Sequence, residues 1–212
     1  MVLGVGFLVA AFASVFTIVN PFSTASIFLA LTRDMTHAER KLIARKAAIF
    51  AVGLLLVFAF AGSAILAFFS ITIDAFRLAG GMLISAFGWQ MIRGKRERLS
   101  SDHTKATYHR DDISIVPIAI PFLAGPGAIT TVLVLVSEAS NALMTFHVAV
   151  AVIAVMVISY IVLSEADRIV RYIGEAGKEA IEKIMGVIVM VVGVQFMING
   201  IKALLVSWGF IV

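Results

Sequence analysis

The chain contains no cysteine, which excludes disulfides, thiolate metal sites and thiol redox chemistry. Charge is nearly as scarce. Asp, Glu, Lys and Arg make up 14% of the 212 residues, against 61% hydrophobic, and a water-soluble domain of this size cannot hide so much apolar surface. Catalytic signatures are missing as well. His37, His103, His109 and His147 form no HExxH pair and have no carboxylate partner within an apolar run, so neither an enzyme, a metal site nor a cofactor is expected. Only four prolines occur, Pro21, Pro117, Pro121 and Pro126, and they fall in two places.

What is present is a series of long apolar runs. Residues 1–32 carry no charge, and roughly 20 apolar residues suffice to cross about 30 Å of hydrocarbon. Ala11-Phe12-Ala13 resembles a signal-cleavage site, but no basic residue precedes the apolar stretch and the run continues beyond it, so it is read as a first span. Further spans are expected at 47–70, 73–92, 113–136, 140–164 and 184–207. The third requires Asp74 and Arg77 to sit at the interface as an i,i+3 pair. The expected fold is therefore an all-α membrane protein of six transmembrane helices in a single domain over 1–212. The lipid bilayer is its first partner.

Lys and Arg distribute unevenly over the connections. Those after spans one, three and five hold fifteen of the seventeen, leaving only Arg77 and Lys202 on the other side. By the positive-inside rule both termini face away from the cytoplasm, in the cytoplasmic membrane. These basic residues account for the pI of 9.6 as lipid-facing charge, and no nucleic-acid partner is expected. Residues 94–112, polar and without apolar periodicity, read as a cytoplasmic loop between two halves, 1–93 and 113–212.

Sliding the chain on itself by 105 residues brings Asn20-Pro21 onto Gly125-Pro126, and Gly81, Gly88 and Gln90 onto Gly186, Gly193 and Gln195. Each half then has three spans, and an odd number of crossings makes the second enter from the opposite face. The pattern predicts two inverted repeats, an architecture of secondary transporters with the binding site where the halves meet. Gly81 and Gly88, like Gly186, Gly193 and Gly200, are spaced by seven and form small-residue stripes for close helix packing. Gln90 and Gln195 lie off those stripes, where they either line a pathway or bond to another helix.

Proline at mid-span in the first segment of each half predicts broken or kinked helices one and four. At Asn20-Pro21 the ring removes a donor and is expected to leave the carbonyls near Phe16 and Thr17 unpaired. In Pro117-Ile118-Ala119-Ile120-Pro121-Phe122-Leu123-Ala124-Gly125-Pro126-Gly127, an uninterrupted helix is not expected. Unpaired backbone in hydrocarbon is costly, so both stretches belong inside protein or beside a watery cavity. Ser23, Thr24 and Ser26 follow the first break, Thr130 and Thr131 the second. Half-helix N-termini there would present N–H groups and a positive dipole end to an anionic group. Asn20, Pro21, Ser23, Thr24, Gly125, Pro126, Gly127, Thr130 and Thr131 are the candidate substrate-binding residues. The alternative is a pair of kinks satisfied by local hydroxyls.

Asn20-Pro21 followed by Ile27-Phe28-Leu29-Ala30-Leu31-Thr32, then Phe76-Arg77-Leu78-Ala79-Gly80-Gly81, then Ile115 through Pro121 running into Leu123-Ala124-Gly125-Pro126-Gly127-Ala128-Ile129-Thr130-Thr131, resembles the MarC family of bacterial and archaeal inner-membrane proteins. Members commonly carry Ile-Gly where this chain has Phe22-Ser23. The resemblance implies a six-span protein of the same broad superfamily as amino-acid exporters, with neutral amino-acid transport proposed for some members. Together these readings lead to the expectation of a secondary transporter of small neutral or zwitterionic solutes such as small amino acids. The alternative is a non-transporting membrane scaffold or regulatory protein. Coupling to Na⁺ or H⁺ and assembly as a homo-oligomer are left open by the sequence.

Overall fold

A computed structural model describes residues 2–32, 34–93 and 114–210; the expected cytoplasmic loop lies outside them. The described residues are helical throughout, without strands. Helices α1 (Val2–Val19), α2 (Pro21–Leu31), α3 (His37–Phe68) and α4 (Ile73–Arg93) are followed by a π-helical segment π1 (Ser114–Leu123). Then come α5 (Pro126–Glu138), α6 (Ala142–Ser164) and α7 (Ala166–Ser207).

Helix starts follow local chemistry. Thr36 and Glu39 form a reciprocal capping box at α3, with the Thr36 N–H donating to Glu39 Oε2 at 2.9 Å. Asn141 Oδ1 accepts from the Met144 N–H at 3.0 Å to open α6. Each such cap satisfies donors that have no partner within the helix.

Four stretches are long and apolar enough to cross a membrane: Val5–Leu31, His37–Phe68, Ala142–Ser164 and Glu179–Ser207. Two of the expected spans fall outside this set, for separate reasons. Helix α4 opens on Asp74 and Arg77, and the expected pair between them is present at 3.7 Å. The 113–136 stretch divides into π1 and the 13-residue α5. The reading of 165–183 as a plain connection is corrected. It is helical, continuous with the last span and bent at Gly174, whose φ of 71° and ψ of 169° only glycine adopts freely.

The core mixes Val, Ile and Leu with many alanines, including Ala11, Ala44, Ala47 and Ala51 at 0% exposure, and at the alanines backbones approach closely. The tightest seam joins α4 to α7. A Cβ on Gly81 would stand 2.6 Å from the Gly193 carbonyl oxygen, and one on Gly88 2.7 Å from that of Gly186. The glycine stripes meet face to face, running antiparallel, as the packing reading anticipates. Ser85 Oγ donates to the Met190 carbonyl between them at 3.4 Å.

Candidate functional site

The first break is an abrupt one-residue interruption. Asn20 takes the left-handed conformation (φ 45°, ψ 68°), and its Oδ1 accepts from the Ser23 N–H at 3.3 Å. Asparagine tolerates this region better than other side chains, and here it also serves as the N-cap of α2. Pro21 sits at the first helical position, where its missing N–H costs nothing. The expected loss of the Phe16 carbonyl's partner does not occur: it accepts from the Asn20 N–H at 2.9 Å. The left-handed turn lets α1 complete its final bond before the chain changes direction.

The second break is built differently. π1 closes with an i→i+5 bond from the Ala124 N–H to the Ala119 carbonyl at 2.8 Å. Gly125, extended at φ −72° and ψ 174°, then precedes Pro126 at the start of α5 without a side-chain cap. The segment is π-helical across Pro117 and Pro121.

The first break is inside the protein, and the second is partly so. Asn20, Ser23, Thr24, Thr130 and Thr131 are all 5% exposed or less; Pro21 and Gly125 are buried, Gly127 is half-buried and Pro126 is exposed. The two breaks also adjoin. The Cβ position of Gly127 lies 3.2 Å from Ile18, two residues before Asn20, and 3.2 Å from Ile84 of α4. Asn20 Nδ2 faces Met91 Sδ on the same helix at 4.0 Å, and Thr130 packs against Gly80. Helix α4 thus passes both half-helix starts.

The hydroxyl protons are committed locally. Thr130 Oγ1 donates to the Pro126 carbonyl at 2.8 Å, Thr131 Oγ1 to that of Gly127 at 2.9 Å, and Thr24 Oγ1 to that of Asn20 at 3.2 Å. Their oxygens keep acceptor capacity only. Gln90 and Gln195 are exposed on the outer faces of α4 and α7, and Gln195 donates to Asn199 one turn on at 2.8 Å. They are not brought to the breaks.

Two arginines hold the far ends of the half-helices. Arg40 donates to the Thr32 carbonyl at the end of α2 at 3.0 Å and pairs with Asp167 of α7. Arg77 bonds Glu138 Oε1 at the end of α5 at 3.1 Å. Cations suit helix C-termini, and both pairs link the first half of the chain to the second. Sequence reading assigned Arg40 only to a basic connection. Its distance of 127 residues from Asp167 left no local signal. Arg40→Ala is expected to lower stability by about 1 kcal/mol, since Asp167 is 38% exposed and solvent screens the pair. A double-mutant cycle with Asp167→Ala, read by thermal unfolding in detergent, checks this; additive losses would mean the pair carries no coupling.

Comparison with known proteins places the chain. A UPF0056 membrane protein of Methanocaldococcus jannaschii is 38% identical over 200 residues, covering 94% of this chain and 98% of its own. YvbG of Bacillus subtilis, also a UPF0056 membrane protein, is 35% identical, covering 93% and 95%. YhcE of Escherichia coli, another, is 32% identical over 91% of each chain. No solved structure matches. The model of the MarC family integral membrane proteins matches residues 5–205, and the chain, with its apolar spans and paired helix breaks, belongs to that family.

Proposed function

We propose that this protein is a secondary transporter of small neutral or zwitterionic solutes, such as small amino acids, built from two inverted three-helix halves in the cytoplasmic membrane with both termini outside. The observation that carries the reading is the adjoining of two half-helix N-termini, the buried start of α2 and the partly buried start of α5, across Ile18 and Gly127. Each directs N–H groups and a positive dipole end to the interior, where a solute carboxylate finds donors.

Packing supports the inverted repeat. A shift of 105 residues exchanges α1 with π1, α2 with α5, α3 with α6 and α4 with α7. The set of principal neighbours survives the exchange: α1 rests on α6 as π1 rests on α3, α2 on α6 as α5 on α3, and α4 on α5 as α7 on α2. The contact of Gly81 with Gly193 becomes that of Gly186 with Gly88. The Ser85–Met190 bond joins two positions themselves 105 apart, as a bond on a two-fold axis would. In this arrangement α4 and the π1–α5 pair complete six crossings. The Arg40 and Arg77 pairs close opposite faces, and rocking of the halves opens one at a time.

The alternative, a non-transporting membrane scaffold, is favoured by the commitment of Asn20, Thr130 and Thr131 to bonds within their own helices. Uptake of a panel of radiolabelled amino acids into proteoliposomes, with and without Na⁺ and proton gradients, separates the readings. Saturable accumulation of the small neutral members is expected, with Thr130→Val slowing it by about tenfold through loss of one buried acceptor. A flat panel from folded protein would overturn transport of this class, and full activity in Thr130→Val would remove that residue from the site.

A further inference from the structure

Helix α7 has two unlike long faces. Gly186, Gly193 and Gly200 turn inward against α4. On the other side Ile184, Ile188, Val191, Gln195, Ile198 and Lys202 recur at alternating steps of four and three, and all are exposed. The isoleucines and the valine suit lipid. Gln195 does not.

Gln195 stands near the middle of the apolar stretch Glu179–Ser207, about 10 Å along the helix from Lys202, the next residue of this face long enough to reach the headgroups. Lipid chains offer an amide no hydrogen bond, and an unmet polar group in hydrocarbon is costly. Gln195 Nε2 donates to Asn199 Oδ1 one turn on at 2.8 Å, which meets part of the need. The Gln195 Oε1 acceptor and the Asn199 Nδ2 donor have no partner among the described residues and stand side by side. Gln90, the amide on the outer face of α4, is placed differently. It lies one turn from Arg93, whose guanidinium sits 4.7 Å over the Trp89 ring, and tryptophan and arginine mark the headgroup level.

We propose that this face of α7 is the interface of a homodimer, in which the outer stripe of one copy packs along that of a second, with Gln195 and Asn199 bonding across it. The amide pair identifies the occupant as a second copy. It offers an acceptor and a donor together, so the same pair brought up by a two-fold axis along the membrane normal satisfies both. Copies inserted in one orientation then set α7 parallel to α7, with Gln195 opposite Gln195. A repeat of about 3.5 residues keeps two such helices in contact at a crossing of about 20°, and one polar residue in the stripe fixes their register. Head-to-tail pairing of Gln195 with Gln90 fails on depth. Gly88 opposes Gly186, so Gln90 lies about 14 Å from the level of Gln195. Dimerisation is a property of the folded chain in lipid and does not rest on solute transport.

Because the chain has no cysteine, single introduced thiols test the interface without background. Val191→Cys and Ile198→Cys, purified and reconstituted at high dilution into phosphatidylcholine vesicles, should each form disulfide-linked dimers on mild oxidation. Phe60→Cys, at a residue 64% exposed on α3, should not. Adding Gln195→Leu to Ile198→Cys should weaken association by about tenfold in a lipid-dilution series, since both copies lose their bonds, whereas Gln195→Asn should retain most of it. Circular dichroism checks that helicity is unchanged. Equal cross-linking at Phe60→Cys would reduce the dimers to random collision, and dimers undiminished by Gln195→Leu would leave the amides without a role; either result overturns the proposal. Monomers at every position would do the same and leave the face to lipid, while solute uptake by those monomers would keep the transport reading.

Discussion

Gly88→Ala should destabilise the folded protein by about 3 kcal/mol, at the upper end of the cost of overpacking a tight interface. The added methyl would meet the Met190 backbone nitrogen and stand 2.7 Å from the Gly186 carbonyl oxygen. Both are main-chain atoms of a facing helix, so no side chain can rotate aside, and relief requires α4 and α7 to separate along the seam. Gly81→Ala is expected to behave likewise, for the Gly193 oxygen at 2.6 Å and the Met197 nitrogen at 2.9 Å. Gly53→Ala is the control. Nothing lies within 4 Å of its Cβ position, and alanine is favoured over glycine in a helix by up to about 1 kcal/mol. Unfolding by SDS titration in mild detergent reads all three. If Gly88→Ala unfolds no earlier than Gly53→Ala, the two helices are not in main-chain contact.

Asn20→Ala should cost about 3 kcal/mol, while Asn20→Gly costs only a few tenths, because the residue serves backbone and cap at once. Alanine forfeits the side-chain cap, typically about 1 kcal/mol, and adds the left-handed penalty of about 1–2 kcal/mol for a φ of 45°. Glycine adopts that conformation freely. The pair therefore separates two roles that one substitution would confuse. Uptake lost in Asn20→Gly with stability retained would place the side chain against solute; uptake retained would make Asn20 a structural cap beside the site. Equal stability of the two variants would contradict the left-handed turn itself.

Four of the expected spans and both breaks are legible in the sequence because the physics behind them is local. A charge-free run of membrane length and a proline at its middle each act on their own neighbourhood, and Asn20-Pro21 and Gly125-Pro126 lie where composition placed them. The details of each break were less accessible. Pro21 implied a lost bond at Phe16, but a left-handed Asn20 preserves it, a choice of torsion that sequence pattern does not record. The spacing of the glycines indicated a packed face without naming its partner. Antiparallel opposition of Gly81 to Gly193 depends on how all the helices settle together. The polar stretch 165–183 gives no sign either that it is helical and bends at Gly174, because that bend depends on contacts with elements distant in sequence.

That bend also bears on how the protein meets its bilayer. An unbent helix of 42 residues would rise about 63 Å, roughly twice the depth of the hydrocarbon. Gly174 divides this length into a short piece that begins at Ala166 and a longer one that holds the last apolar stretch, Glu179–Ser207. No atom crowds its Cβ position within 4 Å, but the piece before it is held by packing, with Ala166 1% exposed and Asp167 paired to Arg40. The glycine seam begins about three turns further on, at Gly186. The bend therefore turns the start of α7 back onto the protein, so that its length is not all spent along the last span, and leaves the register of α4 against α7 to the glycine seam alone.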